Sequence, residues 1–312
     1  MKTIKYTLKY LLFGLLGVLG ILLVWGLLEP YFIDKEPEIA EIPNLPPSWQ
    51  GKRIAVIADW QVGMWLDNTP TINRIVEELI EERPEVVLIA GDFIYGAPPN
   101  PSEQIDKVIE LVRPLPKAGI PTYAVLGNHD YALKDKHNPP NRELAAKLAS
   151  ALEGVGVDIL KNDVVALEPP QNRNLSKPGT NEELPLYLVG IGSRWANNAK
   201  PEVALAKVPD EAPRFVMMHH PDTFDEFPPN TAPVAVAGHT HGGQIRLPFT
   251  PNWSWMTFAK EDEVHADGWV VDEYGAPGND LYVNRGIGFS GVPIRINCPP
   301  EVTVFTLQSA SS

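Results

Sequence analysis

The sequence predicts an α/β domain of parallel strands and crossover helices, preceded by a single membrane-spanning helix. From residue 51 onward, short apolar runs alternate with amphipathic segments, a pattern typical of strand–helix–strand units. Ahead of that region, the nineteen residues from Tyr10 to Leu28 carry no formal charge, and about twenty such residues span a bilayer core. Hydrophobic residues make up 44% and charged residues 21% of the 312-residue chain, which excludes a wholly disordered or collagen-like protein.

The apolar segment at residues 10–28 is predicted to be a transmembrane signal anchor behind a cytoplasmic tail at residues 1–9. A cleaved signal peptide is the main alternative, but its apolar region is usually about 7–15 residues long and ends at a small-residue cleavage site. No such site precedes Glu29 and Pro30. A buried core helix is a third reading, although such a helix normally shows a polar face.

Charges on the two sides of the span predict its orientation. Three lysines (Lys2, Lys5 and Lys9) precede the span, whereas five acidic residues and one lysine follow it within residues 29–41. The positive-inside rule therefore predicts a single-pass cell-membrane protein whose larger part lies outside the cytoplasm. Residues 29–50 contain five prolines and are predicted to form a semi-rigid linker. A single domain at residues 51–308 and a short tail at 309–312 would follow.

Strands and helices alternate along the predicted domain. Helices are expected at residues 71–82 and 102–111, between strands at 53–58, 86–90 and 122–126. Later apolar runs predict five more strands, at residues 186–189, 215–218, 234–237, 281–284 and 302–307.

Charge and cysteine content limit the chemistry. The chain has 26 basic and 39 acidic residues, a formal charge of −13 that argues against sequence-independent nucleic-acid binding. Cys298 is the single cysteine, so neither an intramolecular disulfide framework nor a thiolate zinc cluster can form. A bound metal would need histidine, carboxylate or amide ligands.

Polar motifs follow five of the predicted strands. They are Asp59-Trp60-Gln61, Gly91-Asp92, Gly127-Asn128-His129-Asp130, His219-His220 and Gly238-His239-Thr240-His241, and they contain five of the seven histidines. Ligands in open α/β sheets bind beyond the carboxyl ends of the strands, so these motifs are expected to converge on one site. Any one of them alone would more often be a turn, a cap or a hydrogen-bonded core residue.

The ordered motifs resemble the signature of the calcineurin-like metallophosphoesterases, over residues 51 to about 308. The strings from Gly238 to Ile245 and from Asn284 to Gly288, with Pro293-Ile294-Arg295, are similar to a membrane-associated bacterial subgroup. That subgroup includes UDP-diacylglucosamine diphosphatases, which work at the cytoplasmic face and so leave the topology open. The resemblance implies a two-sheet sandwich flanked by helices, the four-layer metallophosphoesterase fold. It also implies two divalent metal ions, which would be manganese, iron, zinc or magnesium.

The resemblance also implies roles for individual residues. Asp59 and His241 would bind the first metal, Asp92 would bridge both, and the ligands of the second would be Asn128, His219 and His239. His219 is preferred to His220 because it stands two residues before the proline. His129 would face the scissile phosphate as a catalytic residue without binding metal, with Asp130 as its orienting partner or as a simple turn residue.

One position departs from the family pattern. Gln61 stands where a histidine is common. A glutamine can bind through its amide oxygen, and oxygen ligands favour manganese or magnesium over softer ions. The first metal would therefore be held more loosely or selected differently.

Two further sets of residues are candidates for substrate contact. Arg246, Arg285 and Arg295 would bind phosphate, or alternatively form surface salt bridges. Apolar and aromatic residues beside the motifs would pack the loops, or alternatively form a rim that contacts lipid, since tryptophan favours the membrane interface; these are Met64, Trp65, Phe249, Trp253, Trp255, Met256 and Phe258.

The expected activity is hydrolysis of a phosphodiester or diphosphate bond in a lipid-linked or nucleotide-type substrate. Two metal ions would lower the pKa of a bound water and clamp the attacking and leaving oxygens. The alternatives are a general phosphodiesterase acting on small soluble diesters, and a non-enzymatic relative that uses the scaffold for binding.

Overall fold

Two mixed six-stranded sheets pack face to face in the computed structural model, with helices on the outside. The structure describes residues 2–64, 66–96, 100–167, 185–246, 266–270 and 274–310. The predicted two-sheet sandwich flanked by helices is confirmed.

The first sheet carries the early motifs of the sequence. Its strands are β1 (Asp34–Ile42), β2 (Arg53–Ile57), β3 (Val86–Ile89), β4 (Thr122–Ala124), β5 (Val157–Ile159) and β12 (Glu301–Ser309). They run in the order β1-β12-β2-β3-β4-β5. Strands β2 to β5 are parallel to one another, and β12 runs antiparallel to β2.

The second sheet carries the late motifs. Its strands are β6 (Asp163–Leu167), β7 (Leu186–Gly190), β8 (Arg214–Met217), β9 (Ala235–Ala237), β10 (Gly268–Trp269) and β11 (Leu281–Val283). The order is β10-β11-β9-β8-β7-β6, with parallel pairing through β7, β8, β9 and β11 and antiparallel strands at both edges. The carboxyl ends of the parallel strands in both sheets meet at one side of the sandwich.

Six α-helices are present in the described residues: α1 (Lys2–Leu28), α2 (Thr69–Glu82), α3 (Pro101–Val112), α4 (Pro114–Lys117), α5 (Arg142–Glu153) and α6 (Pro201–Leu205). Helix α2 buries Ile72, Ile75, Val76 and Leu79, one face at the spacing of a 3.6-residue period. Helix α5 is preceded by its N-cap residue Asn141, whose side chain accepts a hydrogen bond from Leu144 N. Both helices pack on the outer face of the first sheet.

Buried residues on alternate sides of the strands form the core. In β2, Ala55 and Ile57 pack against the helices, whereas Ile54 and Val56 face the second sheet and belong to the cluster that contains Phe215. Since both faces of this strand are covered, its sequence is continuously apolar.

The segment predicted to be a proline-stiffened linker, residues 29–50, differs from that prediction. Its residues Asp34–Ile42 form β1, which pairs in parallel with β12 along its whole length. Pro37 is tolerated because β1 is an edge strand, and an edge position does not require every backbone N–H to donate. The domain therefore begins well before residue 51.

Helix α1 stands clear of the domain over most of its length. Residues 6–20 are all exposed, and the apolar stretch Tyr6–Tyr31 is long enough to cross a membrane. Among the described residues, the helix meets the domain at its last turn, where Gly26 and the following Glu29 are buried.

Candidate metal centre

Polar residues from the ends of β2, β3, β4, β8 and β9 meet at one side of the sandwich. Five of them adopt positive φ angles: Asp59 (52°), Gln61 (51°), Asp92 (57°), His239 (73°) and His241 (52°). A left-handed backbone is costly for residues other than glycine, and such strain concentrates at functional sites. Strands β2, β3 and β9 thus end in sharp turns that carry these polar residues.

We call Asp59, Gln61, Asp92 and His241 the first metal group, as a candidate site for one ion. Ligand atoms of Asp59, Asp92 and His241 all lie within 4.8 Å of one another, and the three side chains are buried. Burial raises the pKa of Asp59 to about 7 and lowers that of His241 to about 3. Two enclosed carboxylates beside a neutral imidazole offer the negative charge and the lone pair that a divalent cation needs.

Two side-chain atoms of this group without hydrogen-bond partners also indicate a cation site. Among the described residues, His241 Nδ1 and Gln61 Oε1 are buried and have no hydrogen-bond partner. The other end of the Gln61 amide donates from Nε2 to Asp92 Oδ2 at 2.9 Å, which holds it beside the carboxylates. Buried polar atoms are rarely left unsatisfied, so these two atoms fit a site for a ligand. Binding of metal by Gln61 itself stays a prediction.

We call Asn128, His219 and His239 the second metal group, as a candidate site. The ligand atoms of His219, His239 and the neighbouring His220 all lie within 4.8 Å of one another. Asn128 Oδ1 lies 3.1 Å from His219 Nε2 and 3.0 Å from His239 Nδ1. The Asn128 amide is oriented by its Nδ2, which donates to Leu133 O at 2.9 Å. Asp92 Oδ2 lies 3.3 Å from His219 Nε2, so this carboxylate touches both groups, as a bridging ligand must.

The His219 ring shows why this arrangement suits a cation. Its Nδ1 donates to Ala90 O at 2.7 Å, which leaves Nε2 facing two oxygen acceptors. Burial opposes a charge on this ring, but Asp92 and Asp59 outweigh burial and raise its pKa to about 9. Burial also opposes ionisation of Asp92, yet His219 and His129 lower its pKa.

His129 and Asp130 each form a hydrogen bond with Asp92 that involves one backbone N–H group. His129 N donates to Asp92 Oδ1 at 2.8 Å, and its ring Nδ1 lies 2.9 Å from Tyr95 O. Asp130 is fully buried and accepts hydrogen bonds from four backbone N–H groups, those of Asp92, Phe93, Ile94 and Gly127. Contrary to the prediction that Asp130 orients His129, the His129 ring is positioned by the Tyr95 carbonyl and by stacking on the Tyr95 ring at 5.2 Å.

His220 lies beside the residues of the second metal group, a position that the sequence did not indicate. It is 1% exposed, and its ring centroid lies 4.7 Å from that of His219 and 4.5 Å from that of His239. Trp195 packs against both His220 and His239, at 5.6 and 5.0 Å. No motif in the sequence pointed to Trp195 or Tyr95, because neither belongs to a recognisable ligand pattern.

The three arginines predicted to bind phosphate lie in the scaffold. Arg295 is fully buried and donates to the backbone carbonyls of Arg285, Gly286, Gly288 and Cys298, which contradicts its predicted contact with substrate. Arg246 pairs with Asp267 and donates to Gly242 O. Arg285 pairs with Asp34, Glu36, Asp267 and Glu301. The last two form salt bridges, as the alternative prediction has it, but both arginine side chains are buried and do not lie on the surface.

The predicted apolar rim can be followed only in part. Met64 is 6% exposed and packs into the domain. Trp65, Phe249, Trp253, Trp255, Met256 and Phe258 lie outside the described residues.

Comparison with known proteins gives consistent matches. The family model for calcineurin-like phosphoesterases matches residues 52–243. A phosphodiesterase of Escherichia coli, YaeI, is 30% identical over 73% of this chain and 72% of its own length. The Bacillus subtilis metallophosphoesterase YkuE is 24% identical over 91% and 88% of the two chains. The UDP-2,3-diacylglucosamine pyrophosphatase LpxG of Chlamydia trachomatis is 26% identical over 83% and 85%.

Proposed function

Because the chain belongs to the calcineurin-like phosphoesterase family of metal-dependent phosphoric ester hydrolases, we propose that it is a two-metal enzyme that cleaves a phosphodiester or diphosphate bond in a lipid-linked substrate. The observation that carries the proposal is the pair of adjoining metal groups with Asp92 between them. A family member without enzymatic function would not need to keep both groups and the bridging carboxylate.

The residues of the two groups have the chemistry to hold divalent ions. Asp59, Asp92 and His241, with Gln61 beside them, would hold the first, and Asn128, His219 and His239 the second, with Asp92 shared. Two bound ions would supply a nucleophile at neutral pH and compensate the charge of the phosphoryl group. Mixed oxygen and imidazole ligands suit manganese, iron, zinc or magnesium.

His129 is the protein group proposed to handle a proton during hydrolysis. Its Nδ1 faces the Tyr95 carbonyl, so in the neutral ring Nδ1 carries the hydrogen and Nε2 is the free nitrogen. After protonation, Nε2 would donate to the leaving oxygen or to an equatorial oxygen of the phosphoryl group. His129 is 8% exposed, so the ring can be reached from outside the domain.

Two features favour a lipid-linked substrate. One similar protein is named as a pyrophosphatase of UDP-2,3-diacylglucosamine, a diphosphate linked to a lipid. The exposed apolar helix α1 would also keep the enzyme at a membrane, where tethering raises the effective concentration of lipid substrates. The lysines before the span support a catalytic domain outside the cytoplasm.

A general phosphodiesterase is the second candidate function. The E. coli relative at 30% identity is named simply as a phosphodiesterase. The metal groups themselves contain nothing that restricts the substrate to a lipid.

A direct comparison of substrates tests the proposal. The full-length protein in detergent, loaded with Mn²⁺, Zn²⁺ or Mg²⁺, is assayed on a UDP-linked diacylated sugar, on its deacylated analogue and on a chromogenic diester. We expect a higher kcat/KM for the acylated substrate, and Asp92→Asn should abolish all three activities. Equal kcat/KM values with and without acyl chains would favour the general phosphodiesterase. Activity that persists in Asp92→Asn would refute the two-metal assignment.

A further inference from the structure

The last turn of α1 is fixed to the domain at defined atoms. Gly26 O accepts a hydrogen bond from Arg295 N at 3.0 Å. One residue beyond the helix, the buried Glu29 carboxylate accepts from the backbone N–H groups of Asn297, at 2.9 Å, and of Cys298. These bonds attach the apolar helix directly to the loop that contains residues 294–298.

Packing at Gly26 adds a steric requirement. A Cβ atom built on Gly26 would overlap Cγ2 of Ile294, so the helix and the loop approach as closely as a glycine allows. Within the part of the chain that the structure describes, Gly14, Gly17 and Gly20 have no heavy atom within 4 Å of the corresponding position. Gly26 is thus a contact position, whereas the other three glycines of the helix have no such neighbour among these residues.

The loop held by α1 positions the Arg295 guanidinium. Its Nη2 donates to the carbonyls of Arg285, Gly286 and Gly288 at 2.9, 3.0 and 2.7 Å. Its Nη1 donates to Cys298 O at 3.1 Å, within the same loop that Glu29 holds. The turn at residues 285–288 is therefore tied through Arg295 to the end of α1.

That turn lies against the ligands of the first metal group. Gly288 N donates to Asp59 O at 2.6 Å, and a Cβ on Gly286 would overlap the Asp59 side chain. The loop at residues 294–298 also approaches this metal group directly, because Cys298 Sγ lies 3.4 Å from His241 O. Asn128 and His219 of the second group are instead oriented by Leu133 O and Ala90 O, which belong to other elements.

We propose that Glu29 is a positioning residue for the first metal group and that the last turn of α1 is part of the support of the metal centre. Backbone N–H groups of the 294–298 loop donate to Glu29 and so fix the loop. The loop positions Arg295, and Arg295 holds the turn at residues 285–288, which lies against Asp59. Groups behind the ligands commonly decide metal affinity by orienting those ligands. This inference rests on the two-metal site proposed above. It adds that the end of the predicted membrane helix is needed for full metal affinity.

The experiment uses the full-length protein in detergent, stripped of metal and titrated with Mn²⁺ by calorimetry and by electron paramagnetic resonance. Glu29→Ala and Gly26→Val are compared with the wild type and with Gly20→Val, a matched control in the same helix. We expect Glu29→Ala and Gly26→Val to weaken one of the two Mn²⁺ sites by about 10-fold or more, with the other site unchanged. The spectrum of a coupled pair should then give way to that of an isolated ion. Glu29→Gln, which keeps one acceptor oxygen, should show a smaller loss.

Other results would overturn the inference. Wild-type affinity at both sites in Glu29→Ala would remove Glu29 from the metal centre. Parallel loss of both ions, together with a lower melting temperature of the metal-free protein, would assign Glu29 to fold stability alone. A loss in Gly20→Val equal to that in Gly26→Val would assign the effect to the helix in general. If the wild type bound fewer than two Mn²⁺ ions, the proposed two-metal function itself would fail.

Discussion

Replacing Asp130 with asparagine should destabilise the loops of the metal centre far more than the small change in shape implies. The Asp130 carboxylate accepts four backbone N–H hydrogen bonds, from Asp92 and Gly127 on Oδ2 and from Phe93 and Ile94 on Oδ1. It therefore joins the loop after β3 to the loop after β4. An asparagine keeps one acceptor oxygen, and its NH₂ group would face two buried N–H donors.

The expected loss follows from the number of hydrogen bonds. Burial raises the pKa of Asp130 to about 7, so these bonds are not counted as bonds to a full charge. A buried N–H donor left without its acceptor costs about 1–3 kcal/mol, and asparagine leaves two of the four in that state. The free energy of unfolding should fall by about 2–6 kcal/mol, a large part of the roughly 5–15 kcal/mol that a protein typically has. Because the same bonds position Asp92, metal content should fall as well.

The assay is thermal unfolding of the full-length protein, followed by tryptophan fluorescence, with metal content measured on the same samples. Asp158→Asn is the matched control, because Asp158 is exposed on β5 and a surface change of this kind alters stability by only about 0.5 kcal/mol. If Asp130→Asn melted within a few degrees of the wild type and kept its full metal content, Asp130 would not hold these loops as described.

Three further predictions concern the site and the membrane. His129→Ala should keep both metals but lose about 10²–10⁴-fold in kcat, because it removes a proton donor without a ligand; loss of metal in this variant, measured by elemental analysis, would contradict that role. Gln61→His should raise zinc affinity and change the metal preference, because an imidazole nitrogen replaces an amide oxygen, and an unchanged metal-activation profile would place residue 61 outside the ligand set. A reporter active only outside the cytoplasm should work when fused after Ser312, because lysines precede the span and acids follow it; activity of a cytoplasmic reporter at the same position would reverse the topology.

The position of the site could be predicted because it depends on strand order alone. Asp59, Asp92, Asn128 and the late histidines each follow an apolar run, and the carboxyl ends of parallel strands meet by construction. The choice of His219 over His220 as the ligand stays a prediction: His219 Nε2 points at Asn128 and Asp92, and His220 lies in the same candidate group as His219 and His239. The local sequence pattern was therefore sufficient to place a residue in the site wherever that residue directly follows a strand.

Roles that depend on distant backbone groups could not be predicted. The ring of His129 is oriented by the carbonyl oxygen of Tyr95, and a carbonyl oxygen is present at every position of any sequence. Arg295 looked like a phosphate contact because it is basic, but its partners are carbonyls of a turn that the sequence could not place. Strand β1 was not predicted because Pro37 argues against a strand. A proline is excluded from central strands but allowed in an edge strand such as β1.

The pairing of β1 with β12 has a consequence for the order in which the protein is made. Asp34 lies beside Glu301 in the sheet, and Ala310 N donates to Ile42 O at the other end of the pair. The first strand to leave the ribosome therefore cannot pair until the last strand has been made. Until then β2 also lacks its neighbour, and two edges of the first sheet stay open to wrong partners. Nascent chains should therefore remain sensitive to protease until β12 has left the ribosome, and chaperone contact should persist through the whole of translation.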